Sequence, residues 1–102
     1  MSRRVSNLAF NREFPAASGL RGIPKENRVH IARDRQNPFD TDAVGVWLDG
    51  CAATPLGWLY RKDVNRDVVL EKLDAGGEIQ GHIKVQKRVG SQSPKKVVVF
   101  WL

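Results

Sequence analysis

The sequence predicts a mainly β fold, in which about six short antiparallel strands roll into a small barrel with one or two helices beside it. Three observations lead to this prediction. Apolar and polar side chains alternate with the period of two that is typical of strands in several separate segments. Turn-forming residues separate these segments by distances that suit hairpins. One further segment repeats with the period of a helix.

The candidate strands follow one another along the chain. Residues 7–14 are the first of them, and residues 28–33 place Val29 and Ile31 on one face. The next three same-face sets are Val44, Val46 and Leu48; Leu56, Trp58 and Tyr60; and Ile79, Gly81, Ile83 and Val85. Residues 97–102 are apolar throughout, which is typical of a strand buried on both faces. Trp47 and Trp101 lie within these runs and are expected in the core.

Breakers and one helical stripe complete the predicted architecture. Residues 50–55 and 90–94 are turns between neighbouring strands, and residues 15–27 are expected to form an exposed loop with a short turn of helix. An apolar stripe predicts an amphipathic helix over residues 63–75, and it consists of Val64, Val68, Val69, Leu70 and Leu73. Asp63 is expected to cap its start and Gly76 to close its end. The sum is a small OB-like barrel.

Length and charge limit the function. The 102 residues suffice for one domain, with a core expected over about residues 7–102. The net charge of +6 is uneven, because residues 37–80 are acidic whereas residues 1–36 and 81–102 are basic. If the two ends meet in the fold, their charge favours a polyanion such as nucleic acid. The alternative is that these charges only keep a small domain soluble.

Several classes of protein are not expected. Cys51 is the single cysteine, which excludes an intrachain disulfide and a cysteine metal cluster. No apolar run approaches the length of a membrane span, and Arg3 and Arg4 precede no apolar stretch that would indicate a signal peptide. An intracellular location is therefore expected. His30 and His82 are isolated in the sequence, so neither a metal site nor a cofactor is predicted.

A polar segment joins the second and third candidate strands, and a glycine-aromatic strand follows it. The polar residues are Arg33, Asp34, Asn37, Pro38, Phe39, Asp40 and Asp42, and the later strand begins Leu56, Gly57, Trp58, Leu59. In this order of elements the chain resembles the HIRAN domain over roughly residues 10–102. The resemblance implies a β barrel that binds the 3′-terminal nucleotides of single-stranded DNA and acts in DNA repair. It also implies a larger DNA-processing ATPase as a partner, since the family occurs fused to such enzymes and as separate chains.

The resemblance implies a pocket for the DNA end around Asp40. In the family, an aspartate at this place accepts a hydrogen bond from the terminal 3′ hydroxyl, with Asn37 beside it and Phe39 as the aromatic of the pocket. An ionised carboxylate only accepts hydrogen bonds, so it favours a hydroxyl over a 3′ phosphate. Without the resemblance, the same residues are explained as a structural turn, since Pro38 fixes the backbone and the aspartates cap nearby amides.

Other residues are assigned to the DNA strand. The resemblance places Arg12 on a phosphate and Phe14 under a base, and it makes Trp58 a stacking platform where some relatives have histidine. Stacking on aromatic rings tolerates any base, so little base preference is expected. Basic residues flank the last hairpin and are expected to contact phosphates, the alternative being a solvated hairpin tip. They are Lys84, Lys87, Arg88, Lys95 and Lys96.

The leading interpretation is therefore a non-catalytic module for single-stranded DNA with a free 3′ hydroxyl. The second is a protein-interaction module that pairs residues 97–102 with another chain, if that strand lies at an edge. The third is a Mg²⁺-dependent nuclease built on Asp34, Asp40 and Asp42, although no Lys or His is placed to act as its general base.

Overall fold

The computed structural model describes residues 2–14, 28–51, 53–86 and 95–102 of the chain. Its elements in chain order are β1 (Arg3–Phe10), β2 (Arg28–Arg33), β3 (Val44–Leu48), β4 (Gly57–Leu59), α1 (Arg66–Asp74), β5 (Ile79–Gln86) and β6 (Lys95–Trp101). The strands form a closed antiparallel barrel in the order β1-β4-β3-β2-β5-β6, in which β6 returns to pair with β1. The predicted small OB-like barrel is confirmed. The predicted loop at residues 15–27 and turn at residues 90–94 lie outside the described residues.

Alternation along the strands builds the core, as the sequence predicts. Val29 and Ile31 of β2 and Val44, Val46 and Leu48 of β3 all point into the barrel and are at most 2% exposed. Their strands are neighbours in the sheet, with Val29 opposite Leu48 and Ile31 opposite Val46. Cross-strand apolar pairs of this kind are what hold a sheet in register.

The last strand is buried on both faces, as predicted, but it does not bury its tryptophan. Residues 97–100 are at most 2% exposed, whereas Trp101 is 37% exposed. Since Val98 and Phe100 belong to the core cluster, alternation directs Trp101 to the outer surface. Trp47 also faces outward and is only half-buried. The prediction that these two tryptophans lie in the core is wrong, because each is one residue out of phase with its buried neighbours.

The first strand lies closer to the chain start than predicted. It covers Arg3–Phe10 rather than residues 7–14, and its early residues pair with β6, with Arg3 opposite Trp101 and Arg4 opposite Phe100. The two basic ends of the chain are therefore neighbours. The strand ends because Asn11 makes a turn, in which its side chain accepts a bond from the Glu13 amide and donates one to the Pro55 carbonyl.

The helix is shorter than predicted and begins differently. Asp63 does not cap it, because Oδ1 of Asp63 accepts bonds from the Ser6 hydroxyl (2.8 Å) and the Asn65 amide (2.9 Å) in the turn before it. Val69 is buried, but Val64 is 89% exposed, so the apolar stripe is narrower than expected. Gly76 does close the helix, with a φ of 85° that favours glycine.

The closing bonds of the helix run from the Gly76 amide to the Leu73 carbonyl and from the Gly77 amide to the Lys72 carbonyl. This pair of bonds is the Schellman motif. No helix among the described residues combines the length and the apolar character needed to span a membrane.

Candidate functional site

A groove of about 780 Å³ crosses the outer surface of the barrel where β4, the end of β2 and the turn at residues 37–42 meet. We call it the first groove. Its lining residues are Ala9, Asn11, Arg12, Glu13, Asp34, Gln36, Asn37, Pro38, Phe39, Asp40, Ala43, Thr54, Pro55, Trp58, Leu59, Tyr60 and Arg61. Five of the six residues that the sequence assigned to a DNA-end pocket are among them. The sixth, Phe14, is not.

The turn at residues 37–42 forms one wall of the groove and is held by its own side chains. Oδ1 of Asn37 accepts hydrogen bonds from the amides of Phe39 (2.9 Å) and Asp40 (3.2 Å). Oδ1 of Asp40 then accepts one from the Asp42 amide (3.0 Å). Side chains that bond to backbone amides two or three residues ahead stabilise turns in this way. The side-chain oxygen of Asn37 therefore shapes the turn and is not free for a ligand.

Asp40 lies between two arginines. Its Oδ2 accepts a 2.8 Å bond from Nη2 of Arg66 and lies 3.4 Å from Nε of Arg61, and its side chain is 21% exposed. Desolvation alone would raise the pKa of Asp40, but the bonds from the Asp42 amide and Arg66 and the charges of both arginines outweigh it and lower the pKa. Asp40 is therefore ionised at neutral pH. A carboxylate offers about four acceptor positions, so Asp40 can take a further donor.

A third arginine, Arg33, also holds this turn. Arg33, at the end of β2, places Nε and Nη2 on the two oxygens of Asp74 and Nη1 on Oδ1 of Asp42, each at 2.8 Å. These bonds, the one to Asp74 foremost, raise the pKa of Arg33, and the bond from Arg33 lowers the pKa of Asp74. The turn is thus fastened to both β2 and α1. These bonds hold that wall of the groove in place without a ligand.

The three acids of the nuclease hypothesis have separate partners. Asp34 accepts a 2.8 Å bond from the Trp58 indole, Asp42 pairs with Arg33, and Asp40 pairs with Arg66. Within the described ranges, no group of three or more His, Cys, Asp or Glu side chains is placed to hold a metal ion.

Three aromatic side chains surround the groove to different depths. Phe39 is 88% exposed and Tyr60 53% exposed, while Trp58 is half-buried on the outer face of β4. The indole N–H of Trp58 donates to Asp34, which orients the ring. The sequence singled out Phe39 and Trp58 and noted only that Tyr60 shares a face with Trp58. Trp58 and Tyr60 do share the outer face, but Leu56, which the sequence put on the same face, is 0% exposed in the core, so that part of the prediction is wrong; β4 begins only at Gly57.

One sequence-based assignment changes, and one residue of the groove was missed. Phe14 is 1% exposed and packs edge-on against Phe10 with ring centroids 6.4 Å apart, so the prediction that it lies under a base is wrong. The turn at Asn11 folds Phe14 back into the core. Arg61, by contrast, was not predicted. Its side chain is 69% exposed and lies 3.4 Å from the Asp40 carboxylate, from which β3 and β4 separate it in the sequence. No pattern of neighbouring residues in the sequence predicts this contact.

The predicted phosphate-contacting residues lie apart from the groove where they are described. Lys84 is exposed on β5, and Nζ of Lys96 lies 4.5 Å from the centroid of the Phe10 ring, a cation–π contact. Neither lines the first groove. Lys87 and Arg88 lie outside the described residues, and Lys95 is described only as the first residue of β6. The cations at the groove itself are Arg12 and Arg61.

Comparisons of the chain with protein-family models, with curated proteins and with solved structures found no match.

Proposed function

We propose that the protein is a non-catalytic module that binds single-stranded DNA and prefers a strand with a free 3′ hydroxyl. The observation that carries the proposal is the 88% exposure of Phe39 at the rim of a groove that also contains Asp40 and Arg61. A ring so exposed adds little to folding, but it offers both faces to a base. The resemblance of residues 37–40 to the HIRAN signature gives the same assignment.

The composition of the groove supports a single-stranded ligand. Phe39, Trp58 and Tyr60 supply aromatic surface, and Arg12 and Arg61 supply positive charge beside it. Binding of single strands combines these two elements, with bases on aromatic rings and phosphates near cations. A duplex keeps its bases stacked on one another, so it has less use for exposed rings. The resemblance adds a DNA-processing ATPase as the enzyme that such a module serves.

End selectivity is assigned to Asp40. Its ionised carboxylate accepts a hydrogen bond from a terminal hydroxyl, whereas a 3′ phosphate is mostly a dianion at neutral pH and presents acceptor oxygens where that donor would lie. A hydrogen bond to a charged acceptor is stronger than one between neutral groups, so a preference of about tenfold or more is expected.

Fluorescence anisotropy with matched oligonucleotides that end in a 3′ hydroxyl or a 3′ phosphate tests this proposal. All measurements use one salt concentration, because affinity for nucleic acid depends on salt. The wild type is expected to prefer the hydroxyl, and Asp40→Asn to lose the preference, since an amide both donates and accepts. Asp67→Asn is the matched control. It removes the same charge from an exposed residue of α1 that does not line the groove.

Two outcomes count against the proposal in different ways. Equal affinity of the wild type for both ends would remove end recognition and leave a general single-strand binder. Absence of binding to either oligonucleotide at low salt would remove the proposed function altogether.

The protein-interaction alternative loses its premise in this fold. Pairing with another chain requires β6 to be an edge strand, but β6 pairs with β1 on one side and with β5 on the other. A closed barrel has no free edge. The single-strand proposal is therefore the one that the described residues favour.

A further inference from the structure

A second groove of about 530 Å³ adjoins the first. Asp34, Gln36 and Pro55 line both grooves, so one wall separates them. From that wall the second groove extends over the outer faces of β2 and β3, where His30 and Trp47 line it. A chain that leaves the first groove across this wall enters the second without crossing the core.

The second groove contains a ready stacking surface. His30 and Trp47 are directly opposite each other on β2 and β3, and their rings stack with centroids 5.9 Å apart and planes 12° apart. Gly45 makes room for the indole, because a methyl group at that position would overlap the Trp47 ring. The indole therefore lies flat over Gly45 and against His30, and a side chain already packed in this way needs less ordering when a ligand binds.

The charges near the second groove are mixed, since the exposed Asp49 carboxylate lies 3.8 Å from Nδ1 of His30. Both oxygens of Asp34 already accept hydrogen bonds, one from the Trp58 indole and one from the Gln36 amide. Arg33 is committed to Asp42 and Asp74, while Arg35 is an exposed cation that lines the groove. A phosphate in the second groove can therefore pair with Arg35, while the Asp34 carboxylate between the two grooves is already bonded to its own donors.

We propose that the second groove binds the nucleotides that precede the 3′ end, with a base stacked on the His30–Trp47 pair. The inference rests on the proposed function and extends it from one pocket to a continuous path. Barrels of this type cover about 4 nucleotides or more of a single strand. A strand that fills only the first groove is shorter than that, so Trp47 contacts long oligonucleotides and not short ones.

The test combines strand length with two matched tryptophan variants. Affinities for a thymidine dinucleotide and a thymidine hexanucleotide, both with a 3′ hydroxyl, are measured for the wild type, Trp47→Ala and Trp101→Ala. Trp47→Ala is expected to weaken the hexanucleotide about fivefold or more, by loss of one stacked base, and to leave the dinucleotide unchanged. Trp101 is the control, because it also packs on a histidine, His82 at 5.7 Å, but lines neither groove.

A fluorescence measurement covers the case in which Trp47→Ala does not fold. Trp47→Phe keeps an aromatic ring over Gly45. Quenching of tryptophan emission by the hexanucleotide is expected to be smaller in Trp47→Phe than in the wild type, and quenching by the dinucleotide is expected to be equal in both.

The failures of the two proposals can be told apart. If Phe39→Ala weakens both oligonucleotides while Trp47→Ala weakens neither, the first groove binds DNA and the second-groove inference is wrong. Equal quenching of the wild type and Trp47→Phe by the hexanucleotide overturns it as well. If the wild type binds neither oligonucleotide, the proposed function itself is wrong.

Discussion

Replacing Phe39 with alanine separates a binding role from a structural one. The side chain is 88% exposed, so folding buries only a small part of it. Complete burial of a phenylalanine contributes about 1.5–3 kcal/mol, and about one eighth of that is roughly 0.2–0.4 kcal/mol. The backbone of Phe39 does take part in the turn, through its amide to Asn37 and its carbonyl to Arg61, but alanine keeps both groups. The variant is therefore expected to fold normally.

The expected loss of binding is much larger than the loss of stability. Stacking of one base on an aromatic side chain contributes about 1–3 kcal/mol, which corresponds to an affinity loss of roughly 5- to 150-fold. The loss of stability, roughly 0.2–0.4 kcal/mol, corresponds to a fall in Tm of only about 1–3 °C for a domain of this size. Anisotropy titration with a single-stranded oligonucleotide at one salt concentration gives the first quantity, and thermal denaturation followed by circular dichroism gives the second.

Val64→Ala is the matched control for this experiment. Val64 is 89% exposed, as Phe39 is, but it lies in the turn before α1 and does not line the first groove. Affinity and Tm should both stay at the wild-type values. The reasoning is refuted if Phe39→Ala binds DNA as tightly as the wild type does. A large fall in Tm for Phe39→Ala would instead show that the ring supports the fold.

Two further predictions concern stability. Gly81→Ala is expected to destabilise the barrel by about 1–3 kcal/mol, because its methyl group would overlap the Val99 carbonyl oxygen and lie 3.0 Å from Cβ of Phe100. Denaturant titration measures this loss. An unchanged midpoint would contradict the close approach of β5 and β6 at Gly81. The lowered pKa values of Asp40 and Asp74 mean that their contributions are present above the ordinary carboxyl pKa of about 4 and are lost as the pH falls through the lowered values. Acid denaturation of Asp74→Asn should therefore show a smaller loss of stability below about pH 4 than the wild type, and an identical acid transition would count against the Arg33–Asp74 pair.

The parts of the fold that the sequence predicts are those that depend on local periodicity. Alternation in β3 predicts Val44, Val46 and Leu48 as one buried face, and all three are at most 2% exposed. The helix start fails for a different reason. Asp63 has the right residue type for a cap, but its carboxylate bonds to Ser6, which is 57 residues away in the sequence. A contact at that separation depends on how β1 lies in the barrel, and no local pattern contains that information.

The same distinction applies to the candidate site. The turn at residues 37–42 is foreseen, because Asn37 and Asp40 bond to amides within three residues of themselves. The partner of Asp40 is not foreseen, since Arg66 is 26 residues further along the chain and belongs to α1. Phe14 is assigned to the wrong side of the barrel wall because the fold places the turn at Asn11, after which the chain returns toward the core.

The surroundings of Asp40 decide how an end can be recognised. If the carboxylate were unpaired, repulsion alone would exclude a 3′ phosphate. Here Arg66, whose side chain is 9% exposed, takes up one oxygen, and Arg61 adds a second positive charge at 3.4 Å. Two cations beside one carboxylate offset its repulsion of a phosphate. The preference must then come from the direction of the hydrogen bond to the hydroxyl and from the fixed position of the turn, in which Arg33 bonds the Asp42 carboxylate and Arg66 bonds the Asp42 carbonyl. The arginines that fasten this turn are thus as much a part of the proposed selectivity as the carboxylate itself.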